Sequence, residues 1–141
     1  MPSIVQTLVN DLRLVALGPV RPTRPEFDHH IAQALAWEPQ VRCVLVSVAD
    51  GGALDAQERV ALAKAGLLMK PCAVLVSSQL TRSILTAVRW LGGAMSAFAP
   101  SDLDRACEHL EVTRAQRPAV RIQLNVLMAS LELGRGAPKP R

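Results

Sequence analysis

The chain has 141 residues, a length typical of one domain, and half of them are hydrophobic although only 3% are aromatic. The net charge of +4 comes from the C-terminal part: residues 1–112 contain ten Lys/Arg and eleven Asp/Glu, whereas residues 113–141 contain six and one. Because the larger part is nearly neutral and shows no basic face with stacking aromatic residues, nucleic-acid binding by the domain is not expected. Contact of the basic C-terminal tail with nucleic acid or an anionic membrane is a weaker hypothesis, and such binding would fall steeply with salt.

The apolar segments and the cysteines indicate the cellular compartment of the protein. No apolar run reaches the roughly 18 to 20 residues of a membrane span. Asp11 and Arg13 interrupt the N-terminal stretch, which also lacks the basic start of a secretory signal. The three cysteines (Cys43, Cys72 and Cys107) are far apart in the sequence and are interpreted as structural thiols. We therefore expect a cytoplasmic protein with no transmembrane segment, metal or cofactor.

The first predicted elements are a β-hairpin and a helix. Two short β-type runs, SIVQTLVN and LRLVALGPV, are separated by the turn-prone pair Asn10-Asp11. After a proline-containing loop, Thr23 and Glu26 fit a capping box, in which both side chains satisfy free amides at a helix start. The helix is expected to stop before Pro39, since the residue preceding proline disfavours helix. Its predicted apolar face consists of Phe27, Ile31, Ala34 and Leu35.

Three continuous apolar runs predict parallel strands that are covered on both faces. They are CVLVSVA (43–49), CAVLVS (72–77) and MSAFA (95–99). Helices are predicted to start near Asp55, at Ser78, and over PSDLDRACEHL, where Ser101 and Asp104 form the capping pair. Strands alternating with helices favour right-handed crossovers and parallel pairing. The prediction is an α/β fold with a mixed sheet of about five strands, packed by four helices.

The segment after Val112 allows two interpretations. AVRIQLNV (119–126) alternates like a strand, but a set of residues spaced by four, three and four favours an amphipathic helix, and the segment is long for a strand. That set is Val120, Leu124, Leu127 and Leu131. A second stripe makes the helix apolar over most of its circumference, so part of the helix is expected to contact a partner chain. This stripe is Ile122, Val126, Ala129 and Leu133.

These patterns divide the chain into three parts. Residues 1–112 form the predicted domain, residues 113–134 form an extra C-terminal helix, and residues 135–141 form a basic flexible tail. The helix is expected to support homo- or hetero-oligomerisation, a homo-oligomer forming through residues 119–133.

Three catalytic or metal-binding interpretations of this sequence each lack residues or a geometry that their chemistry requires. Ser78 follows a strand but has no flanking glycines, so it does not fit a nucleophile elbow. Asp50 ends a strand as a phosphate-accepting aspartate of a receiver domain does, but the acidic pair and the lysine of that chemistry are missing. His29 and His30 are adjacent on a helix and point about 100° apart, which makes a poor chelate; both are interpreted as a solvated helix flank. No catalytic residues are predicted, and an enzyme is not expected.

The hairpin, the three parallel strands and the segment PCAVLVSSQLTRSILTAVRWLGGAMSAFAPSDLDRACEHL resemble a STAS domain. The similarity covers about residues 3 to 112 and is greatest to bacterial STAS/SEC14-like proteins of largely unknown function. The residues that carry it are Ser77, Ser78, Arg82, Thr86, Trp90, Leu91, Phe98 and Pro100. The resemblance implies a non-enzymatic module that binds a protein partner, as anti-anti-sigma factors do.

The loop after the third strand departs from that family. In anti-anti-sigma factors this loop carries a Ser or Thr that is phosphorylated, but here ADGGALDAQ contains no hydroxyl residue. Asp50 matches the family's aspartate, and glycines replace the serines that follow it. The resemblance implies that this loop docks a protein partner without a serine phospho-switch. The partner-binding residues implied are Asp50, Gly51, Gly52, Leu54 and Asp55.

A second hypothesis is a small-molecule domain that binds a nucleotide or a lipid-like anion. Parallel sheets bind ligands at the carboxyl ends of their strands, and Ser78, Thr81 and Arg82 offer hydroxyls and a cation at a predicted helix start.

Overall fold

The computed structural model describes residues 3–49, 56–67, 69–77 and 95–136. In these ranges the strands are β1 (Ile4–Val9), β2 (Leu12–Leu17), β3 (Cys43–Val48), β4 (Cys72–Val76) and β5 (Met95–Phe98). The helices are α1 (Arg24–Trp37), α2 (Ala56–Lys64), α3 (Leu103–His109) and α4 (Arg117–Gly136). The predicted α/β class with a five-stranded mixed sheet is therefore confirmed. The helix predicted to start at Ser78 lies outside the described residues.

The strands form one sheet in the order β1-β2-β3-β4-β5. β1 and β2 form the predicted antiparallel hairpin, and its turn places Asn10 at φ 55°, a left-handed conformation that Asn adopts more readily than most residues. From β2 to β5 every neighbouring pair is parallel. All residues of β2 and β4 are buried, as expected of central strands that are covered on both faces.

Each face of the sheet has its own apolar core. The larger core joins one face to α3 and α4 and contains buried side chains from both helices and from β1 to β4. The smaller core lies on the opposite face, and Trp37 from the end of α1 packs against it. The C-terminal helix that was predicted as an extension is thus an integral part of the larger core.

The start of α1 differs from the predicted capping box. The Thr23 hydroxyl accepts a hydrogen bond from the Glu26 amide at 3.3 Å, as predicted. The Glu26 carboxylate, however, accepts from the amides of Ser3 at 2.6 Å and Ile4 at 3.3 Å instead of returning to the cap. This arrangement joins the first turn of α1 to the start of β1, the edge strand of the sheet.

The apolar face predicted for α1 is wrong in part. Phe27 and Ala34 are buried, but Leu35 is 43% exposed, and His30 is buried. The helix is rotated from the predicted orientation because β1 and β2 present polar partners for His30 at the interface.

The start of α3 is also corrected. A 3-10 turn over Pro100–Asp102 precedes the helix, which begins at Leu103, and no side chain caps it. Ser101 and Asp104 therefore do not form the predicted capping pair. Pro100 favours the tight turn because its ring holds φ near −65°.

Arg42 positions the end of α3 against the sheet. Its Nε donates to the Asp11 carboxylate at 2.9 Å, and its Nη1 donates to the Leu110 carbonyl oxygen at 2.7 Å. The side chain thus joins the hairpin turn, the start of β3 and the residue after α3. This connection helps to determine where the chain leaves α3 and enters α4.

Candidate functional site

The site residues predicted from the sequence lie outside the described residues. This holds for the loop residues Asp50, Gly51, Gly52, Leu54 and Asp55, and for the possible anion-binding residues Ser78, Thr81 and Arg82. The structure does describe the strands that precede these residues. β3 and β4 are parallel neighbours, with Val48 opposite Val76. Both segments therefore follow strands that end at the same edge of the sheet.

A polar cluster that the sequence did not predict lies between the sheet and α1. Arg13 of β2 is only 4% exposed and His30 of α1 only 5%. Nη1 of Arg13 donates to the Gln6 side-chain oxygen at 3.1 Å and lies 3.5 Å from Nε2 of His30. Nε2 of the Gln6 side chain in turn donates to the backbone carbonyl oxygen of His30 at 3.0 Å. The cluster thus connects β1, β2 and α1 through side chains.

Burial determines the protonation of this cluster. It lowers the pKa of His30 to about 3, with further contributions from the charges of Arg13 and His29, so the imidazole stays neutral. Burial also lowers the pKa of Arg13, whose Nε is buried and has no hydrogen-bond partner among the described residues. A neutral imidazole beside a buried cation is poorly suited to accept a proton, because protonation would place two positive charges together. The geometry supports a structural role.

His29 and His30 differ from the sequence interpretation. His29 is exposed as predicted, but the prediction of a solvated flank is wrong for His30. The signal in the sequence was Arg13, a charged residue inside the apolar run LRLVAL, which needs a polar partner from the opposing helix.

The three cysteines are all buried and unpaired. Burial raises the pKa of Cys43 to about 11 and that of Cys72 to about 12, and it also raises the pKa of Cys107. These thiols therefore remain protonated near neutral pH and behave as small apolar side chains. Among the described residues, no group of three or more His, Cys, Asp or Glu side chains could hold a metal ion.

The C-terminal segment is a helix, as predicted, and α4 presents two apolar stripes. The first stripe is buried against the sheet and consists of Val120, Leu124, Leu127 and Leu131. On the opposite side, Ile122 is 60% exposed and Val126 is 54% exposed, and Ala129 is exposed with them. We call these three residues the outer stripe; the side chain of Leu133, which was predicted to continue it, lies outside the described residues. The β-branched side chains of Ile122 and Val126, one turn apart, thus face away from the core.

A basic groove adjoins the outer stripe where α3 meets the start of α4. It is a shallow, open groove with a volume of about 560 Å³, lined by Asp104, Arg114, Arg117, Pro118, Arg121 and Ile122. Ile122 belongs to both the groove and the outer stripe, so the two form one continuous surface. The signal for this groove in the sequence is three arginines spaced by three and four residues, a spacing that shows their charge but not the groove that α3 completes.

The arginines of the groove have few partners within the protein. Arg121 lies 3.6 Å from the Asp104 carboxylate, and both side chains are more than half exposed. Nε of Arg117 donates to the Val112 carbonyl oxygen at 3.3 Å, and its two terminal nitrogens remain available to other partners. Arg114 is exposed and makes no hydrogen bond or ion pair with any described residue. The groove is therefore a concentration of positive charge that one surface carboxylate only partly balances.

Comparisons with known proteins found no match: no family model, no curated protein and no solved structure resembles the chain significantly. Within the described ranges, no helix combines the length and the apolar character that crossing a membrane requires.

Proposed function

We propose that this protein is a STAS-like, non-enzymatic interaction module, with a regulatory or scaffolding role, that binds a protein partner. The observation that carries the proposal is the outer stripe of α4. A helix whose inner face is already buried in the core needs no further apolar residues for folding, yet Ile122 and Val126 are both more than half exposed. Exposed apolar side chains that adjoin each other on one helix are typical of interaction surfaces.

The buried histidine and cysteines are structural side chains, which is consistent with a binding role. His30 stays neutral in the interface between α1 and the sheet, and the thiols stay protonated in the core. The docking role of the Asp50–Asp55 loop and the anion site at Ser78, Thr81 and Arg82 stay predictions from the sequence.

The proposal is tested with the double variant Ile122→Ser/Val126→Ser. Both side chains are exposed, so we expect the variant to fold and to unfold at nearly the same urea concentration as the wild type. Wild-type and variant chains are used as baits in affinity purification with quantitative mass spectrometry, and their masses are measured by light scattering. The expected result is a partner, or a self-associated species, that only the wild type retains. The same bound proteins and the same monomeric mass for both chains would contradict the proposal.

The matched control is Leu35→Ser. Leu35 is 43% exposed and lies on α1, which packs on the face of the sheet opposite to α4. If this variant also lost the partner, a general loss of surface hydrophobicity would explain the result, and the outer stripe would have no special role.

A further inference from the structure

We propose that the occupant of the α4 surface is an acidic, amphipathic segment of another protein, which places its apolar side chains on the outer stripe and its carboxylates in the basic groove. This inference rests on the proposed function and adds the chemistry of the partner. The inference rests on the continuity of the basic groove and the outer stripe, since Ile122 forms part of both.

The spacing of the surface suits one helical segment. α4 has 20 residues, which corresponds to a length of about 30 Å. Ile122 and Val126 are one turn apart along α4, and Arg121 lies about 100° around the helix from Ile122. A helix lying along α4 would thus contact the outer stripe with residues spaced by three and four, and its charged flank would face the arginines, as in other helix-in-groove complexes.

The arginines favour carboxylates as the matching groups. Guanidinium groups bind carboxylates through paired N–H donors. Arg114 has no partner among the described residues, and the exposed pair of Arg121 with Asp104 is of a kind that contributes little to stability and is readily exchanged. Incoming carboxylates would therefore gain hydrogen bonds without breaking a strong internal contact.

Charge disfavours a second copy of this chain as the occupant. Residues 113–141 contain six Lys/Arg and a single acid, Glu132. Two copies of α4 that meet side by side in parallel bring Arg114, Arg117 and Arg121 of each copy together. Like charges across an interface oppose association, so an acidic partner fits this surface better than a second copy does.

Nucleic acid also fits the surface less well. Single-stranded nucleic acid is held by stacking on aromatic side chains as well as by cations, and residues 113–141 contain no aromatic residue. The aliphatic outer stripe offers nothing to a phosphate backbone, whereas it matches the apolar face of an amphipathic helix.

The test is a selection of helical peptides of about 18 residues, displayed on phage, against the full-length protein. The library varies the residues on one apolar and one polar face. Selected peptides are synthesised with a fluorescent label, and their affinity is measured by fluorescence anisotropy at low and high salt. We expect selected sequences to combine aliphatic residues at helical spacing with a flank rich in Asp and Glu, and to bind more weakly at high salt because exposed charges are screened.

Two variants and one control identify the surface. Arg114→Glu/Arg121→Glu reverses charges of the groove, and Ile122→Ser/Val126→Ser removes apolar contacts of the outer stripe. We expect each to weaken peptide binding at least tenfold while circular dichroism and urea unfolding show an intact fold. The control Arg24→Glu reverses an exposed charge on α1, which lies on the other face of the sheet, and is expected to leave peptide affinity unchanged.

The other outcomes overturn the inference in distinguishable ways. Selected peptides without acidic residues, or equal affinity for the wild type and Arg114→Glu/Arg121→Glu, show that the groove does not recognise carboxylates. A labelled oligonucleotide that binds the same arginines more tightly than the selected peptides assigns the surface to nucleic acid. A wild-type dimer that Ile122→Ser/Val126→Ser dissociates assigns it to a second copy, and then the proposed function stands while this inference fails. If the α4 variants alter neither peptide binding nor self-association, both proposals fail.

Discussion

Arg13 and His30 show how single polar residues determine the packing of α1. Two adjacent histidines on a helix cannot both face the same neighbour, because successive residues are about 100° apart. His30 is the one that turns inward, where the Arg13 guanidinium and the Gln6 side chain provide polar contacts. A buried polar group without such contacts would cost free energy. Gln6 on β1 and Arg13 on β2 thus explain why a histidine, and not an apolar residue, occupies this buried position of α1.

This burial predicts that stability depends on pH through His30. The folded-state pKa of about 3 lies below the ordinary value of 6.5, so between these values the unfolded chain binds a proton that the folded chain does not. Stability from this residue is therefore fully present above pH 6.5 and is lost as the pH falls below it, by up to about 1.4 kcal/mol per pH unit. Urea unfolding at pH 7.5 and pH 5 measures the loss.

His30→Gln tests the assignment because glutamine does not titrate. We expect the variant to lose less stability between pH 7.5 and pH 5 than the wild type does, even if it is less stable at both values. The matched control is His29→Gln at the exposed neighbouring position, which should change the pH dependence much less than His30→Gln does. The same pH dependence in His30→Gln and the wild type would show that His30 is not the group responsible.

At the scale of elements, α4 combines two roles on opposite sides. Its inner stripe completes the larger core against the sheet, and its outer stripe remains at the surface. The helical spacing predicted both stripes, but it could not tell which of them faces the sheet. In the structure the stripe that packs on the sheet is the one with three leucines, Leu124, Leu127 and Leu131, and its burial removes more apolar surface from water.

The two stripes predict opposite responses to truncation. Leu124→Ala removes a side chain that is only 8% exposed and leaves a cavity in the core, so we expect a loss of about 2 to 5 kcal/mol in the free energy of unfolding. Val126→Ala, on the outer stripe, should change it by about 0.5 kcal/mol or less. Urea unfolding monitored by circular dichroism measures both. Equal effects of the two substitutions would mean that α4 is rotated from the described orientation.

At the scale of the whole molecule, both faces of the central strands are covered, and the cysteines are enclosed with them. Cys43 and Cys107 belong to the larger core and Cys72 to the smaller one. Continuous apolar runs predicted this two-sided burial, since a strand with one wet face would alternate. Neither core requires a disulfide, and all three cysteines are free.

Thiol reactivity measures this enclosure directly. Because the thiols are buried and the pKa of each is raised, we expect all three to resist an aromatic disulfide reagent in the folded protein at pH 8 and to react quickly in urea. Absorbance of the released thiolate counts the reacted groups. A cysteine that reacts rapidly without urea would contradict the described burial, and mass spectrometry of the labelled peptide would identify it.

Local spacing of apolar residues and turn residues such as Asn10 predicted the α/β class, the hairpin and the parallel strands, and they favoured a helix over a strand after Val112, as α4 confirms. Tertiary packing, which spacing does not report, buries His30 beside Arg13, brings Glu26 to the start of β1, and lines a groove next to Ile122 with Arg114, Arg117 and Arg121. These features join residues that are distant in the sequence or on different elements. Spacing along one element reports which residues share a face, but the packing of elements against each other determines what that face meets.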